Sequence, residues 1–386
     1  MDFSLSEEQV LLRDSVDRYV REHCTVERHR ALRATELGFD EDAWREFARL
    51  GWLSLIFSEE VGGLGGGATD VMVLAQALGR GLVREPFLGT VFTCGGVLHR
   101  GGSTRQQQRY IPRIIDGSAQ WAFACAERNS GYDLARIKTS ARPAGNGYVL
   151  NGEKFAVLNA HCADHLVVSA RTGESTGERD GIALFIVDTS AAGVTRECFT
   201  AVDDSRGAHI TLDNVRVDPD GILGTADDGM ALMETVIDTA IVAIGAESVG
   251  SMQALLDATV NYTRTREQFG QPISKFQALQ HRMADMYLKV EETRSLLFNA
   301  AIRLDEGGSD AAQACAALKV KLCEAGRFVA QQAVQLHGGI GMTDELSVGH
   351  HYKRLMILAK LYGDEAYYLQ KYVLLQSADR AAIRAA

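Results

Sequence analysis

The sequence predicts a mostly α-helical protein with a central antiparallel β domain. Three observations lead there. Helical periodicity covers residues 1 to about 120 and returns from about 229 to 378. The stretch between them is built of short runs rich in β-branched residues. The long helical segments of the last third are separated only by short Gly or Pro breaks. The expected domains are therefore an N-terminal helical domain at 1–120, a middle β domain at 121–228 and a C-terminal four-helix bundle at 229–386.

In the first zone, Ser6 followed by Gln9 is a capping-box pattern. It opens an amphipathic helix with Val10, Leu11, Val16 and Val20 on its apolar side. Further helices are expected at 41–50 and 69–81, the latter carrying Val71, Val73, Leu74 and Leu78. The GGLGGG run at 62–67 lacks GxGxxG spacing and follows no clear strand, so it reads as a turn and not as a phosphate cradle. In the second zone the strand candidates are YVLNGEKFAVLN, HLVVSAR, GIALFIVD and HITLDNVRV, bounded by Gly, Asn and Asp. Gly145-Asn146-Gly147 and Asn151-Gly152 predict hairpin turns. Helices do not alternate with these strands, which argues against a Rossmann unit. In the third zone, helices are expected at 230–264, 275–305, 310–336 and 344–372, joined by short links into an antiparallel bundle. The terminal SADRAAIRAA reads as a frayed tail.

Charge and composition narrow the function. Against 50 Asp+Glu stand 40 Lys+Arg, a net charge of −10, which disfavours a nucleic-acid binder. The opening MDFSLSEEQVLLRDSV has no basic region before an apolar block, so no signal peptide is expected. No membrane insertion is expected either, since the apolar run at 241–244 is soon interrupted by Glu247. The seven cysteines are scattered without CxxC spacing, and the ten histidines offer no HExxH, so neither a disulfide framework nor a metal site is expected. The adjacent pair His350-His351 reads as helix surface or interface. The expected compartment is a reducing cytoplasm.

Two C-terminal segments carry a resemblance. TREQFGQPISKFQALQHRMADM (265–286) is similar to the RxxFG…FQ segment of the acyl-CoA dehydrogenase family, and QQAVQLHGGIGMTDE (331–345) to its QxxGGxG segment. The order of helical domain, β domain and bundle matches that family over nearly the whole chain. Within it, the small-subunit type of pimeloyl-CoA dehydrogenase shares the MDFxLSEEQ opening, the QLHGGIGMT run and the LxGD at 361–364. The resemblance implies an α-helical domain, a β-barrel and a four-helix bundle. It also implies FAD as cofactor and α,β-dehydrogenation of an acyl-CoA thioester, an oxidoreductase of CH–CH bonds in fatty acid or lipid catabolism. An electron-transferring flavoprotein would be the acceptor.

In that family the two segments touch the FAD of a neighbouring subunit. Arg266 would place a planar, permanently charged fork on the pyrophosphate. Phe269 would pack on the adenosine end, Gln277 would hydrogen-bond nearby, and Gln335 would donate from its amide. Gly338 and Gly339 would let the backbone approach without a Cβ. The alternative for Arg266 is an exposed salt bridge at a helix end.

The chain departs from the family where the flavin ring and thioester should sit. The family segment YCVTEPGAGSD is here FACAERNSGYD (123–133), with Ala126 replacing a hydroxyl and Tyr132 a serine. The WIT triplet is Ala156-Val157-Leu158. Asp364 takes the place of the catalytic glutamate, which would remove the acyl α-proton; its alternative is a helix N-cap. Where some members carry the base on the first bundle helix, this chain has Ala240, with Ile241 in place of the adjacent arginine. Glu247, two turns on, is either a displaced base or a buried helix–helix carboxylate.

Three functions follow. In the first, the chain is the divergent subunit of a heteromeric dehydrogenase, with a heterotetramer expected, contacting FAD in trans beside a second acyl-CoA dehydrogenase subunit. The second is a self-sufficient homo-oligomer with Asp364 or Glu247 as base. The third is a non-enzymatic scaffold, against which the retained Arg266 and 335–341 segment argue.

Overall fold

The computed structural model describes residues 4–173 and 178–385. Its helices are α1 (Glu7–His23), α2 (Val26–Arg33), α3 (Glu41–Arg49), α4 (Ala68–Arg80), α5 (Gly96–Gly101), α6 (Thr104–Ile115), α7 (Gly229–Thr265), α8 (Gln277–Asp305), α9 (Ala311–His337), α10 (Ser347–Leu358) and α11 (Glu365–Ala385). The strands are β1 (Trp121–Ala124), β2 (Ser140–Ala144), β3 (Gly147–Leu158), β4 (His165–Arg171), β5 (Ile182–Asp188), β6 (Val194–Thr200), β7 (Arg206–Val217), β8 (Ile222–Leu223), β9 (Glu267–Gln268) and β10 (Gln271–Pro272). The chain packs as two compact units, one of residues 1–33, 67–83 and 241–386, the other of 34–66 and 84–240.

The second unit is built on a sheet of order β6-β7-β3-β2-β4-β5-β8, with β1 beside β4. Alternating residues such as Leu150, Leu166, Val168, Phe185, Val187, Ile210 and Leu212 form its buried core. The sheet is mixed where an antiparallel one was expected: β1 runs parallel to β4, and β2 touches β4 in parallel. Parallel pairing needs a long connection, and the loop and β2–β3 hairpin between β1 and β4 provide it. Gly145-Asn146 forms the expected two-residue turn, closing Ala144 onto Gly147 with φ 66° at Gly145. Asn151-Gly152 is not a turn. It lies inside β3 at a register shift, and a Cβ on Gly152 would sit 2.6 Å from Thr139 Cα. Glycine is needed there for close backbone approach.

In the first unit, the capping box of α1 forms as read: Ser6 Oγ accepts from the Gln9 N–H at 3.2 Å, and Gln9 Oε1 from the Ser6 N–H at 3.1 Å. Val16 and Val20 are buried, whereas Leu11 is exposed. Helix α4 crosses α7 backbone to backbone. A Cβ on Gly250 would lie 2.0 Å from Gln76 O, one on Gly79 would lie 2.3 Å from Glu247 O, and Ser251 Oγ donates to Gly79 O at 3.1 Å. By length and composition α7 could cross a membrane, contrary to the sequence reading, but 72% of its most apolar window is buried in the protein. It is a core helix of the bundle.

The fourth expected bundle helix is two. Tyr362 (φ 56°) and Gly363 (φ 135°) break it between α10 and α11, since left-handed residues terminate helices. Helix α11 continues to Ala385, through most of the expected tail. Ala and Arg dominate that segment and favour helix.

Candidate functional site

The C-terminal end of α7 folds back sharply. The Arg266 N–H donates to Tyr262 O at 2.9 Å, and the Ile273 N–H to Arg266 O at 2.8 Å. Between them β9 and β10 pair Gln268 with Gln271 and Glu267 with Pro272. The two-residue turn is Phe269-Gly270, with φ 55° and 77°, the signs of a type I′ turn. Gly270 accepts this freely. Phe269 does not: a bulky residue at positive φ is strained, at roughly 1–3 kcal/mol. Its ring is 90% exposed, so little packing within the chain offsets that strain.

Helix α9 ends at the same end of this unit. The rings of Tyr262 and His337 stack with centroids 4.5 Å apart, tying the last turns of α7 and α9 together. Arg282 Nη1 donates to Gln332 Oε1 at 3.2 Å, joining α8 to α9. Burial holds the His337 imidazole below its usual pKa, so it stacks as a neutral ring. Just beyond, Gly338 has φ 65° and ψ −143°, a conformation reserved for glycine. Gly339 has no positive φ, and a Cβ there would meet no atom within 4 Å. Nothing inside the chain requires glycine at 339. Approach of a ligand to the bare backbone would.

Arg266, Gln277 and Gln335 are exposed. Among the described residues their side chains make no hydrogen bond or ion pair, so the helix-end salt bridge considered for Arg266 does not form. Ile340 and Met342 add exposed apolar surface. A free guanidinium, two free amides, an exposed aromatic and a two-glycine backbone thus share one end of the unit. That set suits an anionic pyrophosphate joined to an aromatic base.

The candidate bases are placed otherwise. Asp364 caps α11: its Oδ1 accepts from the Tyr367 N–H at 3.2 Å and its Oδ2 pairs with Lys360 Nζ at 3.0 Å. The Lys360 hydrogen bond, then that of Tyr367, holds its carboxyl below the usual range. Glu247 gives both oxygens to Arg354, at 2.5 Å from Nε and 3.0 Å from Nη2. Ala240 and Ile241 are fully buried. The turn before Asp364 is held by a group the sequence reading missed. Buried Lys319 donates from Nζ to Leu358 O at 2.6 Å, and Cys323 Sγ to Ala359 O at 3.3 Å. Burial pushes Lys319 down to about 8. The available signal was a lysine on the apolar stripe of α9, four residues from Cys315 and Cys323.

In the β unit, Ala126 and Ala156 are exposed, while Tyr132 and Leu158 are half-buried. The Phe155 N–H donates to Ala126 O at 2.9 Å, so the two substituted segments adjoin. Ala156 sits at φ 53° in the second register shift of β3. Beneath, buried Lys154 pairs with Glu127 at 2.9 Å. Glu127 also accepts from the Thr139 N–H and hydroxyl and the Lys138 N–H. Burial raises the Glu127 pKa, but Lys154 and these hydrogen bonds outweigh it and leave the carboxyl below its usual range.

Sequence profiles described as the N-terminal, middle and C-terminal domains of acyl-CoA dehydrogenase match residues 6–118, 122–215 and 227–370. The chain belongs to the acyl-CoA dehydrogenase family. It is 31% identical to the mitochondrial isovaleryl-CoA dehydrogenase of Pongo abelii, over 93% of this chain and 85% of that protein. A chain of the ChsE4-ChsE5 complex from Mycobacterium tuberculosis is 29% identical and superposes with a TM-score of 0.89, covering 98% of this chain and 99% of that one. The FAD complex of PigA is 25% identical, with a TM-score of 0.91 over the full length of both chains. Members of the acyl-CoA dehydrogenase family are oxidoreductases acting on CH–CH bonds, and their cofactor is FAD.

Proposed function

We propose that this chain is one subunit of a heteromeric, FAD-dependent acyl-CoA dehydrogenase of lipid catabolism, of the small-subunit type seen in pimeloyl-CoA dehydrogenase. It would work in the cytoplasm beside a second acyl-CoA dehydrogenase chain, with an electron-transferring flavoprotein as acceptor. When bound, FAD supplies the oxidising ring for α,β-dehydrogenation of the acyl-CoA. This chain holds the far end of the cofactor. Arg266 would neutralise the pyrophosphate, Phe269 would pack on the adenosine, Gln277 and Gln335 would hydrogen-bond beside it, and Gly338-Gly339 would let the backbone approach it. The observation that carries the reading is Gly339, an uncrowded glycine with ordinary φ, at the same end of the unit as a free Arg266 and a strained, exposed Phe269. A self-sufficient enzyme is disfavoured because Asp364 and Glu247 are each engaged by a cation. A scaffold has no use for a free arginine fork and bare glycines.

Co-expression with a partner chain tests it. The chain alone should purify colourless and inactive, and the complex should carry flavin absorbance and oxidise acyl-CoA. A yellow, active homo-oligomer of this chain would overturn the proposal.

A further inference from the structure

Four side chains of the β unit stack in a column beside Ala126 and Ala156. Arg128 Cζ lies 4.4 Å from the centroid of the Phe155 ring. Phe155 and His209 are nearly parallel, with centroids 4.3 Å apart and planes 5° apart. Phe199 follows His209 at 5.2 Å and 24°. The column draws on the loop after β1 and on β3, β6 and β7. It is pinned to the strand bulge, because His209 Nδ1 accepts the Ala156 N–H at 3.1 Å. The Phe155 N–H in turn is bonded to Ala126 O.

The arrangement exchanges large for small. Positions 126 and 156, which the resemblance assigns to the flavin ring, carry only methyl groups here. Position 128, a proline in the family segment, carries a guanidinium that covers Phe155. A fused, planar ring needs open π faces against which to stack, and here those faces meet each other.

We propose that Arg128, Phe155, His209 and Phe199 plug the strand face that carries Ala126 and Ala156, so that this chain seats no isoalloxazine of its own. The inference rests on the subunit reading and adds its reason: a second copy of this chain cannot house the ring that the first would grip, and a partner with an open face is required.

Riboflavin tests the plug separately from the dinucleotide grip, because it has the ring but neither pyrophosphate nor adenosine. Its fluorescence quenching is measured with the full chain purified alone. The wild-type chain should not bind it. The Phe155→Ala/His209→Ala variant should bind at least tenfold more tightly while keeping the wild-type circular dichroism spectrum, and Arg128→Ala, which disturbs packing least, should show a smaller gain. The plug is refuted if the wild-type chain binds riboflavin as tightly as the opened variants, or if a folded variant gains nothing. If the double variant does not fold, Arg128→Ala alone decides: a gain supports the plug and no gain overturns it. Whether co-expression with a partner chain yields an active, flavin-bearing complex, which tests the subunit reading, is a separate readout from riboflavin binding by the chain alone.

Discussion

Adding one methyl group at Gly339 separates a ligand contact from a structural one, with Gly338 as the control. At Gly338 the backbone has φ 65° and ψ −143°, so alanine there costs about 1–3 kcal/mol. With an unfolding entropy near 2.1 cal/mol/K per residue, a chain of 386 residues has roughly 0.8 kcal/mol/K, and Gly338→Ala should lower Tm by about 1–4 °C. At Gly339 the new methyl meets no atom within 4 Å. Gly339→Ala should leave the isolated chain unchanged, or stabilise it by about 0.4–1 kcal/mol through the unfolded state. If Gly339 lies against the dinucleotide as proposed, the same methyl overpacks that contact in the complex, and about 1–3 kcal/mol corresponds to roughly 5- to 150-fold weaker FAD binding. Thermal unfolding of the isolated chain and FAD titration of the flavin-stripped complex read the two effects. Wild-type FAD affinity in an intact Gly339→Ala complex would refute the reasoning.

Three further predictions concern the framework. Lys319 titrates near 8 in the fold against 10.5 unperturbed, so between those values the unfolded chain binds the extra proton. Stability should therefore rise with pH across about 8–10.5, by roughly 3 kcal/mol, and Lys319→Met should abolish that rise in urea melts at pH 7.5 and 10. Glu127→Gln leaves Lys154 buried without its partner and should cost about 3–5 kcal/mol, with most of the loss recovered in the Glu127→Gln/Lys154→Met double variant. Because the Glu127 carboxyl is depressed, its contribution is present above the unfolded value of 4.5 and fades as pH falls through the folded one, which an acid titration of wild type against Glu127→Gln will show. Gly250→Ala sets a methyl 2.0 Å from Gln76 O and should destabilise by about 1–3 kcal/mol or more, whereas Gly339→Ala should not.

The parts legible in sequence are those set by local pattern. The bundle helices, the α1 capping box and the turn at Gly145-Asn146 all follow from residues a few positions apart. Asn151-Gly152 carries the same local signal as a turn, but its glycine answers to Thr139, twelve residues before Asn151, so only the folded sheet tells bulge from turn. The break at Tyr362-Gly363 was visible as a capping pattern at Asp364, yet the helical period of the flanking residues concealed it. For the proposed cofactor grip, the family resemblance of segments 265–286 and 331–345 pointed to Arg266, Phe269, Gln277, Gln335, Gly338 and Gly339. The strain at Phe269 and the empty space at Gly339 are backbone facts that no composition reveals. The Arg128–Phe155–His209–Phe199 column and the Tyr262–His337 stack depend on strand register and helix packing between distant segments, and the Lys319 and Lys154 anchors depend on which carbonyls and carboxylates those segments bring near.

The most direct test is the ratio of FAD to polypeptide in the purified complex, measured by flavin absorbance against total protein, with and without Arg266→Ala in this chain alone. One FAD for every two chains, lost or strongly reduced by Arg266→Ala, is the expected result. One FAD for every chain, insensitive to Arg266, would mean that this subunit seats its own flavin and contradicts the account.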